Sequence, residues 1–253
     1  MAGAVTPARQ GFRLAYALLG LAVAGAIAAL VLLVANPVDG GRPWSSWKPQ
    51  GHGLAAAEQI AQEIGTRYRL PSGDQLVGVL AQPPQVGQDV RVSVVAIGST
   101  QPDQDIKVFR TGSTVVYILC GIGGDQCEIP KGTPSQERAL LLRREALELA
   151  LNTFKYVKDK DAVLAIFPPP KGQSPSTAVY LRRDDFTDEL SRPLGDTLLA
   201  TERITPSELI PAEAAIVRRL TLSDPIKERY SGLYRFQFEQ APDGTAYVAL
   251  APM

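Results

Sequence analysis

Histidine and cysteine are nearly absent from this chain, which contains one histidine, His52, and two cysteines, Cys120 and Cys127. Structural zinc sites need several such ligands, so this set is too small for them, and we predict no bound metal. A serine–histidine hydrolase needs a histidine base within its folded region, whereas His52 lies between glycines in a segment rich in Pro, Gly and Ser. The glycine motifs of nucleotide-binding loops are also missing, so we expect no cofactor and no catalytic residue set.

Long basic runs are missing as well. The chain has 26 basic and 26 acidic residues, and two of the basic residues, Arg9 and Arg13, precede a long apolar segment. The remainder therefore carries 24 basic and 26 acidic residues. Nucleic-acid binding depends on neutralising many phosphates, so this balance predicts no nucleic-acid partner.

The most informative feature that is present is an uncharged segment from Leu14 to Ala35, which reads LAYALLGLAVAGAIAALVLLVA. As a helix it rises about 33 Å, which is enough to cross a bilayer. The apolar core of a cleaved signal peptide is shorter, about 7–15 residues, and ends in a small-x-small cleavage site. We therefore predict an uncleaved transmembrane helix over residues 14–35.

The flanks of this helix predict its orientation. Arg9 and Arg13 precede it without an acidic residue, so residues 1–13 are expected to form a cytoplasmic tail and the C-terminal region to lie outside the cytoplasm. Residues 36–53 are rich in Pro, Gly and Ser and read as a tether, in which Trp44 and Trp47 are expected to lie at the membrane interface. The sequence predicts a single-pass cell-membrane protein.

Residues 54–253 are expected to form one extracytoplasmic α+β domain, with a mainly antiparallel sheet and one long packed helix. That helix is predicted from Pro134 to about Lys158, with Thr133 as its N-cap. Its inner face is expected to contain Ala139, Leu142, Ala146, Leu149, Ala150, Phe154 and Val157. Its solvent face is expected to contain Glu137, Arg144, Glu148, Asn152 and Lys155, and Leu141 falls on that polar side.

Shorter elements are predicted elsewhere in this domain. The segment Val115–Cys120 is apolar throughout and is expected to be a strand buried on both faces. Leu190–Thr201 and Ala212–Leu220 are expected to be weakly helical, the second because Pro211 suits a first helical position. Alternation and turn residues predict a C-terminal β-hairpin, in which the strands at residues 234–239 and 245–250 flank Ala241-Pro-Asp-Gly.

Cys120 and Cys127 bracket the glycine-rich segment CGIGGDQC. The predicted topology places both in a compartment where disulfides persist, and the glycines allow the sharp turn that a bridge would need. We predict that the two cysteines pair, with a modest stabilising effect because the closed loop is short.

Asp184 and Asp185 are the candidates for acid–base chemistry, because neighbouring carboxylates can push their pKa values apart. Adjacent residues at a strand end point in opposite directions, however. A solvated turn flanked by Arg182 and Arg183 is therefore the favoured interpretation.

Two arginine pairs, Arg143-Arg144 and Arg218-Arg219, are the candidates for binding an anionic cell-wall polymer or lipid headgroup. Acidic residues such as Glu145 and Asp224 lie close to them in sequence, so a solvated surface is the favoured interpretation. Within the membrane segment, Gly20-x-x-x-Ala24 and Gly25-x-x-x-Ala29 have the spacing that permits helix self-association.

Three segments carry a resemblance to a family: Trp44-Ser-Ser-Trp-Lys-Pro, Tyr68-Arg-Leu-Pro-Ser-Gly, and Leu140-Leu-Leu-Arg-Arg-Glu-Ala-Leu-Glu-Leu-Ala ahead of Phe167-Pro-Pro-Pro. Along most of its length the chain resembles uncharacterised single-pass membrane proteins of high-GC bacteria. The resemblance implies the topology and the origin, and it attaches no activity to any residue.

These features favour a non-enzymatic interaction or assembly module of a cell-envelope complex, whose partners are the lipid bilayer and another envelope protein. A module that binds an envelope polymer or lipid is the first alternative, based on the arginine pairs. A carboxylate-dependent envelope hydrolase is the second alternative, based on Asp184 and Asp185.

Overall fold

The described part of the chain comprises residues 42–86, 90–98, 106–121, 134–199, 201, 203–224 and 228–253 of a computed structural model. The predicted cytoplasmic tail, the predicted transmembrane helix and the start of the predicted tether lie outside these residues. Over the ranges that are described, helices long and apolar enough for a bilayer crossing are not found.

Four α-helices occur in the described ranges: α1 (Gly53–Gly65), α2 (Gln136–Tyr156), α3 (Thr187–Ser191) and α4 (Pro211–Leu220). The long predicted helix is α2. Its N-cap is Ser135, whose side chain accepts a hydrogen bond from the Arg138 amide. The predicted cap, Thr133, lies outside the described residues. A serine two positions later fulfils the same role because its oxygen satisfies a free amide of the first turn.

Within the described residues nine strands form the sheet. Their bounds are β1 (Gly78–Gln82), β2 (Gln85–Val86), β3 (Val90–Ile97), β4 (Lys107–Arg110), β5 (Thr114–Cys120), β6 (Ala162–Ile166), β7 (Thr177–Arg182), β8 (Gly232–Gln240) and β9 (Ala246–Pro252). Their order is β1-β5-β6-β7-β8-β9-β3-β2, and β4 also pairs with β3.

Six of the eight strand pairings found in the described ranges are antiparallel, and β5–β6 and β3–β9 are parallel. The predicted α+β class is confirmed, and the sheet is mixed. The predicted C-terminal hairpin is also confirmed, since β8 and β9 pair antiparallel across a turn in which Gly244 has φ +86°.

The sheet curls, because β1 and β2, the first and last strands of this order, follow one another directly in the chain. β1 leads into β2 through Pro83 and Pro84, yet β1 pairs with β5 and β2 pairs with β3. Proline donates no backbone hydrogen bond, so the two prolines interrupt the ladder and allow the strand to turn from one neighbour to the other.

Two cores lie on the two sides of this sheet. The helix-side core packs α1, α2 and α4 against alternate residues of the sheet, including Val115, Tyr117, Leu119, Val163, Ala165, Val179 and Leu181. The sheet-side core lies inside the curl and includes Val92, Val95, Val116, Leu164, Tyr180, Phe236 and Val248. β5, β6 and β7 therefore contribute to both cores, which is why their sequences are apolar throughout.

Candidate functional site

Three of the five residues predicted on the solvent face of α2 are buried, whereas Glu137 is exposed as predicted and Lys155 is half-buried. Arg144, Glu148 and Asn152 are only 1%, 3% and 3% exposed. Leu141, which was expected on the polar side, is fully buried, and Ala139 of the predicted inner face is exposed. The prediction was wrong for these residues because α2 packs against α1 and α4 as well as against the sheet, which widens its buried face beyond one apolar stripe.

Arg144 lies at the centre of this buried face and uses all three guanidinium nitrogens. Its Nε donates to Oε1 of Glu213 at 2.8 Å, and Nη2 donates to the carbonyl of Leu199 at 2.8 Å. Its Nη1 donates to the hydroxyl of Tyr68 at 2.5 Å and to Oε2 of Glu148 at 3.0 Å. The guanidinium thus joins α2 to α4, to Tyr68 in the segment after α1 and to the segment before α4.

Two further hydrogen bonds complete the surroundings of Glu148. The Tyr68 hydroxyl donates to its Oε2 at 2.6 Å, and Arg67 donates to its Oε1 at 2.7 Å. On the other side, Glu213 accepts the amide of Leu199 at 2.9 Å in addition to Arg144. Both carboxylates therefore have charged and neutral donors, as buried charges require.

Burial and neighbouring charges perturb the proton equilibria of this cluster. Burial alone would lower the pKa of Arg144, but Tyr68 and the carboxylates of Glu148 and Glu213 raise it above its ordinary value. Burial raises the pKa of the Tyr68 hydroxyl well above its ordinary value, although Arg144 acts in the opposite direction. The arginine therefore stays charged and the tyrosine neutral.

Glu145 lies beside these residues without a partner. It is fully buried, and neither carboxyl oxygen has a hydrogen-bond partner within the described structure. Burial, together with repulsion from Glu148, raises its pKa well above the ordinary value despite attraction to Arg144. A protonated Glu145 leaves the cluster neutral overall, because Arg67 and Arg144 then balance Glu148 and Glu213.

We call Arg67, Tyr68, Arg144, Glu145, Glu148 and Glu213 the buried polar network. Arg67 has the largest exposed fraction in it, 24% of its side chain, and the other members are 5% exposed or less. A substrate approaching from solvent does not reach the five members other than Arg67. The geometry suits a network that fixes α1, α2 and α4 relative to one another.

Sequence spacing gave one signal for this network. Arg144 and Glu148 are separated by four residues, the spacing at which opposite charges meet on a helix. The same spacing is common on solvated helix faces. Tyr68 and Glu213 are distant in sequence, so only the tertiary structure brings them to Arg144.

The two carboxylates proposed for acid–base chemistry have different surroundings. They lie in a short 3-10 helix, Arg183–Phe186. Asp184 is 76% exposed and pairs with Arg182 at 3.0 Å, as a solvated turn predicts. Asp185 accepts the amide of Ser231 at 3.0 Å and thereby connects this turn to the start of β8. These contacts give the two carboxylates separate structural roles.

Arg183, expected to flank a solvated turn, instead caps the end of α2. It donates to the carbonyls of Phe154, Val157 and Lys160, and its bond to Val157 measures 2.9 Å. A cation here satisfies carbonyls that lack partners within the helix and is favoured by the helix dipole. Arg183 therefore contributes to the packing between α2 and the sheet.

The two arginine pairs are divided between surface and interior. Arg144 is buried, so it is unavailable to an external anion, and the expected solvated position was wrong. Arg143 is half-buried and donates to Thr221 at 2.7 Å beyond the end of α4. Arg218 and Arg219 are exposed, and Arg219 lies 3.7 Å from Glu189. The pairs thus do not form one anion-binding surface.

Trp44 and Trp47 both pack partly buried against the helix-side core. Trp44 contacts Tyr156 edge to face at 5.6 Å between ring centres, and its carbonyl accepts the Leu194 amide at 2.6 Å. The compact unit accordingly begins at Trp44, before the predicted domain start at residue 54. Their location at a membrane interface stays a prediction.

The predicted disulfide also stays a prediction. Cys120 is the last residue of β5, next to Gly78 of β1 across the ladder. Cys127 and most of the glycine-rich loop lie outside the described residues.

A different candidate site lies on the outer face of β8, β9 and β3. Leu233 of β8 packs on the helix-side core, and alternation along the strand places Arg235, Gln237 and Glu239 on the same side of the sheet. Unlike β5, β6 and β7, this part of the sheet has no helix packed on it within the described ranges. The alternation of apolar and polar residues predicted β8 as a strand, but it did not predict that the outer face of β8 would be uncovered.

This surface forms a groove of about 910 Å³, bordered by Ser174, Pro175 and Ser176 on one side and by Ile106 on the other. We call it the open face. Its side chains are Arg235, Gln237 and Glu239 of β8, Tyr247, Ala249 and Ala251 of β9, Val94, Ala96 and Gly98 of β3 or directly after it, and Val108 and Arg110 of β4. Alanine and glycine on the central strands make its floor shallow and accessible.

A smaller concavity of about 330 Å³ lies where β2 and β3 meet the turn before β5. Arg91 and Lys160 border it, and Lys160 pairs with Asp159 at 3.2 Å. Its volume suits a small ligand rather than a protein segment.

Clusters of three or more potential metal ligands do not occur within the described ranges. Comparison of the chain with protein-family models, with curated proteins and with solved structures gives no match.

Proposed function

We propose that the chain is a non-enzymatic interaction module of a cell-envelope complex, and that the open face is its binding surface. The proposal is based on one observation, that helices cover only part of the outer side of the sheet. Helices α1 and α2 cover the outer side of β1, β5, β6 and β7, whereas the outer side of β8, β9 and β3 forms a wide groove. The predicted anchor over residues 14–35 would tether the domain to the membrane.

The chemistry of the open face supports binding rather than catalysis. Two of its formal charges, Arg235 and Glu239, lie on one strand four residues apart, at about 13 Å from one another by strand geometry, and the third, Arg110 of β4, lies three strands away from β8. These separations are too large for them to act on one reacting atom. Small side chains between and beside them allow another protein surface to approach closely.

A photo-crosslinking amino acid placed at Ala249 in the full-length, membrane-embedded chain tests this proposal. Ala215, an exposed alanine on α4, provides a matched control position. We expect a discrete protein adduct from position 249 and none from position 215. Equal labelling from both positions, or none from position 249, would reject the open face as the binding surface.

A blocking variant gives a second test. Ala249→Arg places a long charged side chain on the groove floor, so we expect loss of the adduct formed by a crosslinker at Gln237. Ala215→Arg adds the same charge to α4 and should leave the adduct unchanged. Retention of the adduct in Ala249→Arg would contradict the proposal.

A further inference from the structure

The small concavity lies at the corner where the chain passes from β1 to β2. Gln82 ends β1, Gln85 begins β2, and Pro83 and Pro84 connect them; all four border the concavity. Its volume of about 330 Å³ falls at the lower end of the range for small-molecule pockets, about 300–1,000 Å³. A small molecule therefore fits this corner, whereas a protein segment does not.

The charged side chains among the described residues of this concavity are both cationic, Arg91 and Lys160. Arg91 is exposed and Lys160 is half-buried. Lys160 also lies 3.2 Å from Asp159, but Asp159 is 61% exposed, and such exposed ion pairs contribute little. An incoming anion can therefore compete for this lysine. A concave surface with charges of one sign attracts the opposite sign, so the concavity favours a negatively charged ligand.

The first turn of α1 adds to the attraction for an anion. Leu54 in this turn borders the concavity. The N-cap residue, His52, makes no side-chain hydrogen bond to the turn, and the turn contains no acidic residue. Amides at the start of a helix lack partners within the helix, and the helix dipole is positive there. An anion in the concavity therefore meets a positive helix end as well as two cationic side chains.

Two threonines border the concavity, and their hydroxyl groups differ. Thr111 donates to the carbonyl of Val92 at 2.5 Å. Thr114 is only 2% exposed, and its hydroxyl has no hydrogen-bond partner within the described structure. A buried hydroxyl without a partner costs free energy unless a bound molecule satisfies it. Thr114 is therefore an independent indication that the concavity has an occupant.

We propose that this concavity binds a small phosphate ester. Arginine, lysine, a hydroxyl group and a helix start are the groups that bind phosphates in proteins. A phosphate monoester carries a charge of about −1.5 to −2 at pH 7, which the two cations match. Apolar side chains at the concavity, such as Leu54 and Val115, suit the organic part of the ester. The concavity and the open face share no lining residue, so this inference does not depend on the proposed function.

Calorimetric titration with phenyl phosphate tests the site in the full-length chain, held in phosphatidylcholine nanodiscs. We expect saturable binding, weakened about 10-fold in Arg91→Gln and in Lys160→Gln. Arg218→Gln removes an exposed arginine of α4 that does not border the concavity, and its affinity should stay within about twofold of the parent chain. Absence of saturable binding, or equal weakening in all three variants, would overturn the proposal.

Two related ligands separate the phosphate group from the rest of the probe. Phenol lacks the phosphate, and benzoate carries a carboxylate in its place. We expect no saturable binding of phenol and an affinity for benzoate at least about 10-fold below that for phenyl phosphate. Equal affinity for phenol would show that apolar contact alone is responsible. Tighter binding of benzoate would assign the site to carboxylates, and either result would overturn the proposal.

Lipid composition distinguishes two sources of the phosphate monoester, a soluble ester and the headgroup of phosphatidic acid. The titration is repeated in nanodiscs that contain phosphatidic acid, with phosphatidylglycerol as the control for surface charge. We expect the same affinity for phenyl phosphate with both lipids, because the concavity suits a small soluble molecule. Weaker binding with phosphatidic acid alone would overturn the soluble ester in favour of the headgroup.

The unpartnered hydroxyl gives a test that separates binding from folding. Thr114→Val replaces this hydroxyl with a methyl group of similar size. We expect the midpoint of denaturation without ligand not to fall, and the affinity for phenyl phosphate to fall about 3- to 10-fold. Thr111→Val loses its hydrogen bond to Val92 and should lower the midpoint. A lower midpoint with unchanged affinity in Thr114→Val would overturn the role of Thr114 in the site.

Discussion

The helix layer and the open face of the sheet place charged side chains in opposite settings. On the helix-covered side, Arg144 is buried and makes hydrogen bonds with Glu148, Glu213 and Tyr68. On the open face, Arg235 and Glu239 are exposed. A buried charge depends on its partners for stability, whereas an exposed charge is hydrated and free to meet another molecule. The comparison indicates that the first set holds the fold together and the second is available for binding.

The largest effect is expected at the centre of the buried polar network. Arg144→Met removes every hydrogen bond of the guanidinium and leaves the buried carboxylates with fewer donors. We expect the free energy of unfolding to fall by about 3–5 kcal/mol in denaturant titrations of the purified chain. Arg143→Met, beside it on α2 but half-buried, should cost about 1 kcal/mol. Equal losses would contradict the distinction between the two arginines.

Loss of a tyrosine hydroxyl compares the two sides directly. The Tyr68 hydroxyl donates to Glu148 and accepts from Arg144 in the interior. We therefore expect Tyr68→Phe to lower the free energy of unfolding by about 1–3 kcal/mol. The Tyr247 hydroxyl bonds to Glu239 at the surface, and Tyr247→Phe should leave the midpoint of denaturation unchanged. A similar decrease in the free energy of unfolding in both variants would show that burial does not determine the cost of losing a tyrosine hydroxyl.

Glu145 predicts a dependence of stability on pH. Above its ordinary pKa of 4.5, the unfolded chain releases the proton that folded Glu145 retains. Its contribution to the free energy of unfolding is therefore fully present at lower pH and is lost as the pH rises towards the raised pKa, by about 1.4 kcal/mol per pH unit. Glu145→Gln stays neutral and should remove this slope in unfolding curves measured at several pH values.

Glu137 on the same helix is the control for this titration. Hydrogen bonds from its own amide and from Ser135 lower its pKa, and it is exposed at the first turn of α2. Its stabilising contribution has the opposite sign and is lost as the pH falls. If Glu137→Gln removed the same alkaline slope as Glu145→Gln, the slope would not arise from burial.

The smallest effect on stability is expected on the open face. Ala249 is half-buried on the groove floor and touches no helix, so Ala249→Arg should change the free energy of unfolding by no more than about 0.5 kcal/mol. The same variant should abolish association in the crosslinking experiment. A large loss of stability would place Ala249 in the core rather than on a binding surface.

Local patterns in the sequence were sufficient for several elements. Alternation and turn residues predicted the β8–β9 hairpin, and the proline at the start of α4 marked that helix. The Val115–Cys120 run predicted a strand buried on both faces, which β5 is. These signals are local because alternation, capping and turn chemistry depend on residues near one another in the chain.

Local patterns in the sequence did not predict the structure of segments that pack against other parts of the chain. Leu190–Thr201 was expected to be weakly helical, but its described residues end α3 and form a short 3-10 helix, Leu194–Asp196. The segment connects to Trp44 and to the buried polar network through backbone hydrogen bonds. Such contacts join residues that are far apart in sequence, so no local spacing predicts them.

The sequence by itself determined the α+β class, the long helix and the terminal hairpin, because each is encoded by the spacing of apolar, capping and turn residues. Only the tertiary structure decided which polar residues are buried and which part of the sheet stays open. Arg144 and Arg235 are the same residue type. Helices pack over Arg144, so its charge must be paired within the chain, whereas Arg235 is exposed and its charge is available to a partner.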